Sequence, residues 1–204
     1  MAHDPARSAL TEAASRWAAA SDEAWADFAG AFDERELGQD DHLVLAGDPL
    51  PDVVFVVAGL LRLYYTDRNG NEWNKAFAVG GGFTGSLASG LLGVPAPFSI
   101  QALEPTAVLA ARWDTLEALY DRHPALERLG RRVAEQVAVK KEMKERAFLE
   151  QTATERYQAF VRGESGLAAR LPLYHVASYV GVTEVSLSRI RGRIARRGKR
   201  DAEG

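Results

Sequence analysis

Residues 173–193 carry the residue pattern of two short helices joined by a tight turn. Val176 and Val180 lie four positions apart and give the first predicted helix an apolar stripe. Gly181 follows at the corner, where the backbone often needs a positive φ that glycine tolerates. Thr183 comes two residues later and is a good N-cap for a second helix. This segment therefore predicts a helix, a turn and a second helix.

The second predicted helix, over about residues 183–194, is amphipathic and basic. Leu187, Ile190 and Ile194 recur at spacings of three and four, so they face inward together. A short helix, a glycine corner and a basic amphipathic helix are typical of the helix-turn-helix, whose second helix enters the DNA major groove. An ordinary pair of antiparallel helices has the same spacing and is the alternative interpretation.

Positive charge is concentrated in the last third of the chain. Residues 1–125 contain 8 Lys and Arg against 18 Asp and Glu, a net charge of −10. Residues 126–204 contain 17 against 10, a net charge of +7, and no acidic residue lies between Val185 and Arg200. Nucleic-acid phosphates bind such cations with release of counterions, which favours DNA as the partner. A solvated basic tail is the other interpretation.

The region before this motif predicts an α+β chain. Residues 1–32 are predicted to form a helical segment, with helical character from about Leu10 to Phe32. Residues 33–123 contain short apolar runs such as Val53–Val57 and Leu60–Tyr65, which are rich in β-branched and aromatic residues. Short strands at this spacing predict an antiparallel β-barrel or jelly roll.

A long helix is predicted over residues 124–150, because Pro124 suits a first helical turn and apolar residues then recur at roughly heptad spacing. These residues are Leu126, Leu129, Val133, Val137 and Met143. Packing against a second copy in a two-fold dimer would bury this stripe. The alternative is a helix packed on its own barrel. Residues 151–204 then form the helix-turn-helix domain with its basic tail.

Composition excludes several other classes. The chain has no cysteine, which excludes disulfides and a cysteine-ligated iron–sulfur cluster, and we expect no haem either. No run approaches the ~20 apolar residues of a membrane span, and the N-terminus lacks a signal-sequence pattern, so a cytoplasmic protein is expected. The four histidines are scattered, without a nucleophile–base pair or metal-ligand spacing. We therefore expect neither an enzyme nor a metal site.

The order of these segments resembles the Crp/Fnr family of bacterial transcription regulators. The resemblance covers about residues 30–195 and rests on Gly70 and on four short motifs in the family's order. These are Ala46-Gly47-Asp48, the run from Phe55 to Tyr64, Gly82-Phe83-Thr84-Gly85 and the segment from Val176 to Ile190. It implies a cyclic-nucleotide-binding-type jelly roll, a dimerisation helix and a C-terminal helix-turn-helix. It also implies a homodimer on a palindromic operator in double-stranded DNA, with RNA polymerase as a further candidate partner.

Two residues that bind cyclic AMP in members of this family are not matched in this chain. Family members that bind cyclic AMP use a glutamate for the ribose and an arginine for the phosphate, and Ser86 and Phe98 occupy those places here. Since Phe98 offers a phosphate neither charge nor donor, we do not expect cyclic AMP to bind in the family's mode. An unidentified small-molecule effector in an apolar pocket and a filled core are the alternatives. The candidate pocket residues are Phe83, Gly85, Ser86, Leu87, Phe98 and Ser99.

The outward face of the second helix predicts the DNA contacts. Arg189 suits a bidentate contact to guanine, Glu184 suits the amino group of cytosine, and Val185 suits a thymine methyl group. The full predicted set is Thr183, Glu184, Val185, Ser186, Ser188, Arg189, Arg193, Arg196 and Arg197. An intrahelical ion pair between Glu184 and Arg189 is the competing interpretation.

The C-terminus departs from the family, which usually follows this helix with a β-hairpin wing. Residues 196–204 have no strand pattern, so the motif is predicted without a full wing. We expect the basic tail to replace the wing through its charge. The alternative is a ligand-sensing or protein-interaction module of the same fold, with weakened or nonspecific DNA binding.

Overall fold

The computed structural model describes residues 4–49 and 52–203. Its helices are α1 (Pro5–Ser15), α2 (Asp22–Gly30), α3 (Leu87–Leu92), α4 (Trp113–Arg122), α5 (Pro124–Glu150), α6 (Ala153–Gly163), α7 (Ser165–Arg170), α8 (Leu173–Val180) and α9 (Glu184–Glu203). Its strands are β1 (Asp33–Leu37), β2 (His42–Val44), β3 (Asp52–Ala58), β4 (Leu60–Thr66), β5 (Glu72–Val79), β6 (Phe83–Gly85), β7 (Ser99–Ala102) and β8 (Thr106–Arg112).

The chain divides into two compact units. The first contains Met1–Thr66 and Lys75–Val139, and the second contains Asp67–Asn74 and Lys140–Gly204. None of the helices within the described ranges is long and apolar enough to cross a membrane.

The N-terminal segment contains two helices. Helix α1 ends at Ser15, and α2 begins after Ser21, whose hydroxyl accepts a hydrogen bond from the Ala24 backbone N–H. This serine N-cap starts the second helix. Phe28 and Phe32 are buried, so the segment contributes to the core as expected.

The predicted jelly roll is confirmed. Two four-stranded antiparallel sheets have the orders β1-β8-β3-β6 and β2-β7-β4-β5. The predicted runs Val53–Val57 and Leu60–Tyr65 lie within β3 and β4. Gly59 between them has a φ of 103°, and a Cβ there would lie 2.3 Å from Thr106 Oγ1, so the reversal requires glycine.

Two apolar clusters form the core of the first unit. Val54 and Val56 of β3 lie in the cluster between the two sheets. Phe55, between them in sequence, lies in the other cluster, where the N-terminal helices and the start of α5 pack on the first sheet. Strand side chains alternate between faces, so a strand buried on both faces has the continuous apolar sequence seen in β3.

Part of the apolar stripe on α5 that was predicted to form a dimer packs in the chain's own core. Leu126 and Leu129 are 0% and 3% exposed, and both lie in the chain's own core with Val133 packed against it. The N-terminal helices need an apolar partner, and the first turns of α5 provide it. Leu126 and Leu129 are therefore not available for the predicted interface with a second copy, whereas Val133 is only partly buried. Val137 and Met143 are 46% and 58% exposed, so they remain available.

The predicted helix, turn and second helix are confirmed in the second unit. Val176 and Val180 of α8 are buried, and so are Leu187 and Ile190 of α9. Ile194 is partly exposed. Helix α9 continues to Glu203, so the basic tail is helical, and no strand follows α8 within the described part of the chain.

Candidate nucleic-acid interface

Two independent features of the structure require glycine at position 181, in the corner before α9. Gly181 has a φ of 79°, in the left-handed region, and its N–H caps the end of α8 through the carbonyl groups of Ala177 and Ser178. A Cβ at position 181 would lie only 2.6 Å from Cε1 of Phe148. Backbone conformation and the close approach of the Phe148 ring therefore fix the same residue.

Arg156 of α6 supports this corner from the other side. Its Nε donates to the Val180 carbonyl at 2.9 Å, and its Nη1 donates to the Gln151 carbonyl at 2.6 Å. Its guanidinium also lies 4.6 Å from the centroid of the Phe148 ring. A cation at the last carbonyls of α8 stabilises that helix end. Sequence reasoning assigned Arg156 no role in holding the corner, because backbone carbonyls as partners leave no spacing signal.

Thr183 caps α9 as predicted. Its Oγ1 accepts from the Ser186 N–H at 3.2 Å and donates to the Ser186 hydroxyl at 2.9 Å. Both residues belong to the set predicted to contact DNA. In this structure their hydroxyl groups bind each other and start the helix, so their first role is to position α9.

The predicted base contacts lie together on the exposed face at the start of α9. These residues are Glu184, Val185, Ser188 and Arg189. The Val185 side chain is 61% exposed although it is apolar. Neither Glu184 nor Arg189 forms an ion pair with another described residue, so the competing intrahelical pair does not occur.

Cations continue along the same helix. Arg189, Arg193 and Arg196 line an open groove of about 760 Å³ together with Ala153, the first residue of α6. The N-terminal end of a helix carries partial positive charge, so the end of α6 adds to the field of the three arginines. Arg197 lies within α9, but its side chain is outside the described part of the structure.

Two of the aromatic residues predicted to line an effector pocket in the jelly roll pack in different core clusters. The Phe83 ring packs 5.1 Å from the Phe55 ring in one core cluster. Phe98 is 2% exposed in the other cluster, with its ring 5.8 Å from that of Tyr65. The two rings lie in different cores because β6 belongs to one sheet and Phe98 precedes β7 of the other.

The remaining predicted pocket residues also have structural roles. Ser86 caps α3 by accepting from the Ser89 N–H, and the Ser99 hydroxyl accepts from the Ala46 N–H at 3.0 Å. Gly85 ends β6, and Leu87 begins α3. These contacts agree with the filled core that the sequence left as an alternative, and the effector pocket stays a prediction.

Phe98 stands at the position of the family's phosphate-binding arginine, and its surroundings do not suit a cyclic phosphate. Phe98 is buried, and the ammonium group of Lys75 lies 3.8 Å from the centroid of its ring. Lys75 lies on β5, and the sequence pattern did not predict its contact with the Phe98 ring. Because Lys75 faces an aromatic ring and Ser86 caps a helix, the residues do not fit a cyclic nucleotide in the family's mode. Within the described residues, no cluster of three or more His, Asp or Glu could hold a metal ion.

Comparisons with known proteins agree with this architecture. The cyclic nucleotide-binding domain family matches residues 34–123. The anaerobic regulatory protein of Pasteurella multocida (strain Pm70) is 26% identical over 198 residues, which are 85% of this chain and 71% of that protein. The transcriptional activator protein anr of Pseudomonas aeruginosa is 28% identical over 182 residues, 83% of this chain and 73% of that protein.

A solved structure shows the same fold. FixK2 from Bradyrhizobium japonicum has a TM-score of 0.71 and 20% identity, with 82% of this chain and 86% of that chain covered. The fold and the matched domain together define a class of protein that has a cyclic-nucleotide-binding-type jelly roll, a long helix and a helix-turn-helix. Residues 34–123 match the cyclic nucleotide-binding domain family, and most of the chain is similar to regulators of the Crp/Fnr type.

Proposed function

We propose that this protein is a sequence-specific DNA-binding transcription regulator that acts as a homodimer. The observation that carries the proposal is the two-sided character of α9. Leu187 and Ile190 fix one side in the core, and the other side presents Glu184, Val185 and Arg189 to solvent. The regulator names of the relatives support the same conclusion.

The exposed side chains at the start of α9 suit the major groove. Arg189 can donate two hydrogen bonds to guanine O6 and N7, and Glu184 can accept from cytosine N4. Val185 can contact a thymine methyl group, which gives its unusual exposure a purpose. Together these three residues supply the chemistry for a short, specific half-site.

The groove beside them suits the DNA backbone. Arg193 and Arg196 line it with the N-terminal end of α6, so phosphate groups would meet both side-chain cations and a helix dipole. Contacts of this kind position the protein and carry no sequence information. Arg197 remains a predicted member of this set.

A dimer would double the site. Val139 and Met143 are 54% and 58% exposed and lie four residues apart, so they share one face of α5. Burial of that face against a second copy would bring two recognition helices to successive major grooves, with centres about 34 Å apart. The operator is then an imperfect palindrome. We propose that any effector is not cyclic AMP in the family's mode.

Selection from random duplex DNA tests this proposal. The purified full chain is incubated with the pool at two salt concentrations, and the bound DNA is sequenced. We expect an enriched palindrome that survives the higher salt concentration. Binding that enriches no sequence and collapses with salt would leave only phosphate electrostatics. That result would favour the sensing or interaction module.

A further inference from the structure

Helices of the second unit surround a cavity that the DNA-facing groove does not share. Its volume is about 310 Å³, within the range of small-molecule sites. Helix α6 contributes Tyr157 and Val161, α7 contributes Ala168, and α8 contributes Val176. Arg191 of α9 completes the lining. None of these residues lines the groove of Arg189 and Arg193.

Six of the eight lining residues have aliphatic side chains. The two polar side chains are the Tyr157 phenol and the guanidinium of Arg191, a residue exposed to solvent. Neither group has a hydrogen-bond or ion-pair partner among the described residues. A cavity with an apolar wall, one cation and one hydroxyl is complementary to an apolar molecule that ends in an anion.

We propose that this cavity binds a small amphipathic carboxylate, such as a medium-chain fatty acid. Its hydrocarbon chain lies among Val161, Ala168 and Val176, and its carboxylate binds Arg191 and the Tyr157 hydroxyl. The net charge of +7 on residues 126–204 favours an anionic over a cationic head group. The site differs from the predicted jelly-roll pocket, whose residues pack in the core or cap other elements.

Helix α9 carries both Arg191, which lines this cavity, and the residues that are proposed to contact DNA. Arg191 lies two residues from Arg189 on the same helix, so a ligand that holds Arg191 acts on the element that contacts bases. This coupling rests on the proposed function, whereas ligand binding does not. The two can therefore be measured separately.

Octanoate is the probe for the site. The full chain, without DNA, is titrated calorimetrically with octanoate and, as the uncharged counterpart, with 1-octanol. We expect one saturable octanoate site per chain and binding of 1-octanol that is about tenfold weaker, because it lacks the charge-assisted contact. Equal affinity for the two would overturn the role of Arg191.

Two variants locate the binding. Arg191→Gln removes the cation, and Ala168→Leu fills the cavity, so each should weaken octanoate binding about tenfold or more. Arg162→Gln and Ala159→Leu are the matched controls, since both residues are exposed on α6 and outside the lining. Thermal unfolding of every variant checks the fold. Absence of saturable binding, or binding that both cavity variants leave unchanged, would overturn the site.

A measurement of DNA binding distinguishes the proposed ligand site from the proposed function. Saturating octanoate should change the affinity for a selected operator in the unmodified protein but not in Arg191→Gln. If octanoate binds in the cavity and operator affinity does not change, the site stands and its coupling is refuted. If octanoate binds but no DNA sequence is ever enriched, the proposed function fails while the ligand site stands.

Discussion

The ring of Phe148 occupies the space that a side chain at Gly181 would need, since a Cβ there would lie 2.6 Å from Phe148 Cε1. Phe148 is near the end of α5, and Gly181 is the corner between α8 and α9. Arg156 lies over the same ring and bonds the carbonyl group of Val180. The last turn of α5 therefore fixes the direction in which α9 leaves the corner.

Substitution of this glycine should destabilise the protein. Gly181→Ala places a Cβ against Phe148 and forces alanine to a φ of 79°. We expect the free energy of unfolding to fall by about 1–3 kcal/mol in denaturant titrations.

Gly192→Ala is the matched control. Gly192 lies inside α9 with no heavy atom within 4 Å of its virtual Cβ. Alanine should stabilise that helix by about 0.5–1 kcal/mol. If the two variants changed stability alike, the Phe148 contact would not constrain the corner.

The dimer proposal predicts a change of oligomeric state. Met143→Glu puts a charge on the exposed apolar face that Met143 shares with Val139, so sedimentation should show a monomer. Ala138→Glu is the control, because Ala138 is exposed on a different side of α5. A dimer that survives Met143→Glu would place the interface elsewhere.

The basic end of α9 should govern the salt dependence of DNA binding. Deletion after Ala195 removes four cations, Arg196, Arg197, Lys199 and Arg200. We expect the slope of log K against log[salt] to decrease by about 0.9 for each phosphate group that the shortened protein no longer neutralises. Deletion of residues 201–204 alone, which removes no cation, should leave the slope unchanged. An equal slope in both truncated proteins would contradict a role for the tail.

Acid should weaken the turn at Asp67. The Asn71 side chain and the N–H groups of Asn71 and Asn69 donate to its carboxylate, which lowers the pKa of Asp67 to about 2 from 3.8. Because the folded pKa is the lower one, this stabilisation is present above about pH 4 and is lost as the pH falls toward 2.

Carboxyl carbon shifts in an NMR titration measure this pKa directly. The stability difference between the unmodified protein and Asp67→Asn should also shrink as the pH falls from about 5 to about 2. A carboxyl group that titrates near 3.8 in the folded protein would refute the hydrogen-bonded turn.

Local patterns predicted much of this fold. Strands β3 and β4 followed from their β-branched and aromatic runs, and the α8–α9 corner followed from Gly181 and the spacing around it. Strand β1 was missed because Asp33–Leu37 is almost wholly charged or exposed, which gives no apolar alternation. Its place is fixed by pairing with β8, which is far away in sequence.

The candidate site was predictable only in part. The exposed face of α9 followed from helical period, because Leu187 and Ile190 fix which side is buried. The dimer stripe failed at Leu126 and Leu129, since periodicity marks an apolar face and not the partner that covers it. The supporting contact of Arg156 with Val180 joins a side chain to a distant backbone group and has no sequence signature.

The most direct test of the central claim repeats the selection from random DNA with Arg189→Ala and, separately, with Arg193→Ala. If α9 contacts bases as proposed, Arg189→Ala should lose the preference at one position in each half-site, at a cost of about 1–3 kcal/mol. Arg193→Ala should weaken binding to all sequences about equally. A uniform loss for Arg189→Ala, with every base preference intact, would contradict base contact by this helix.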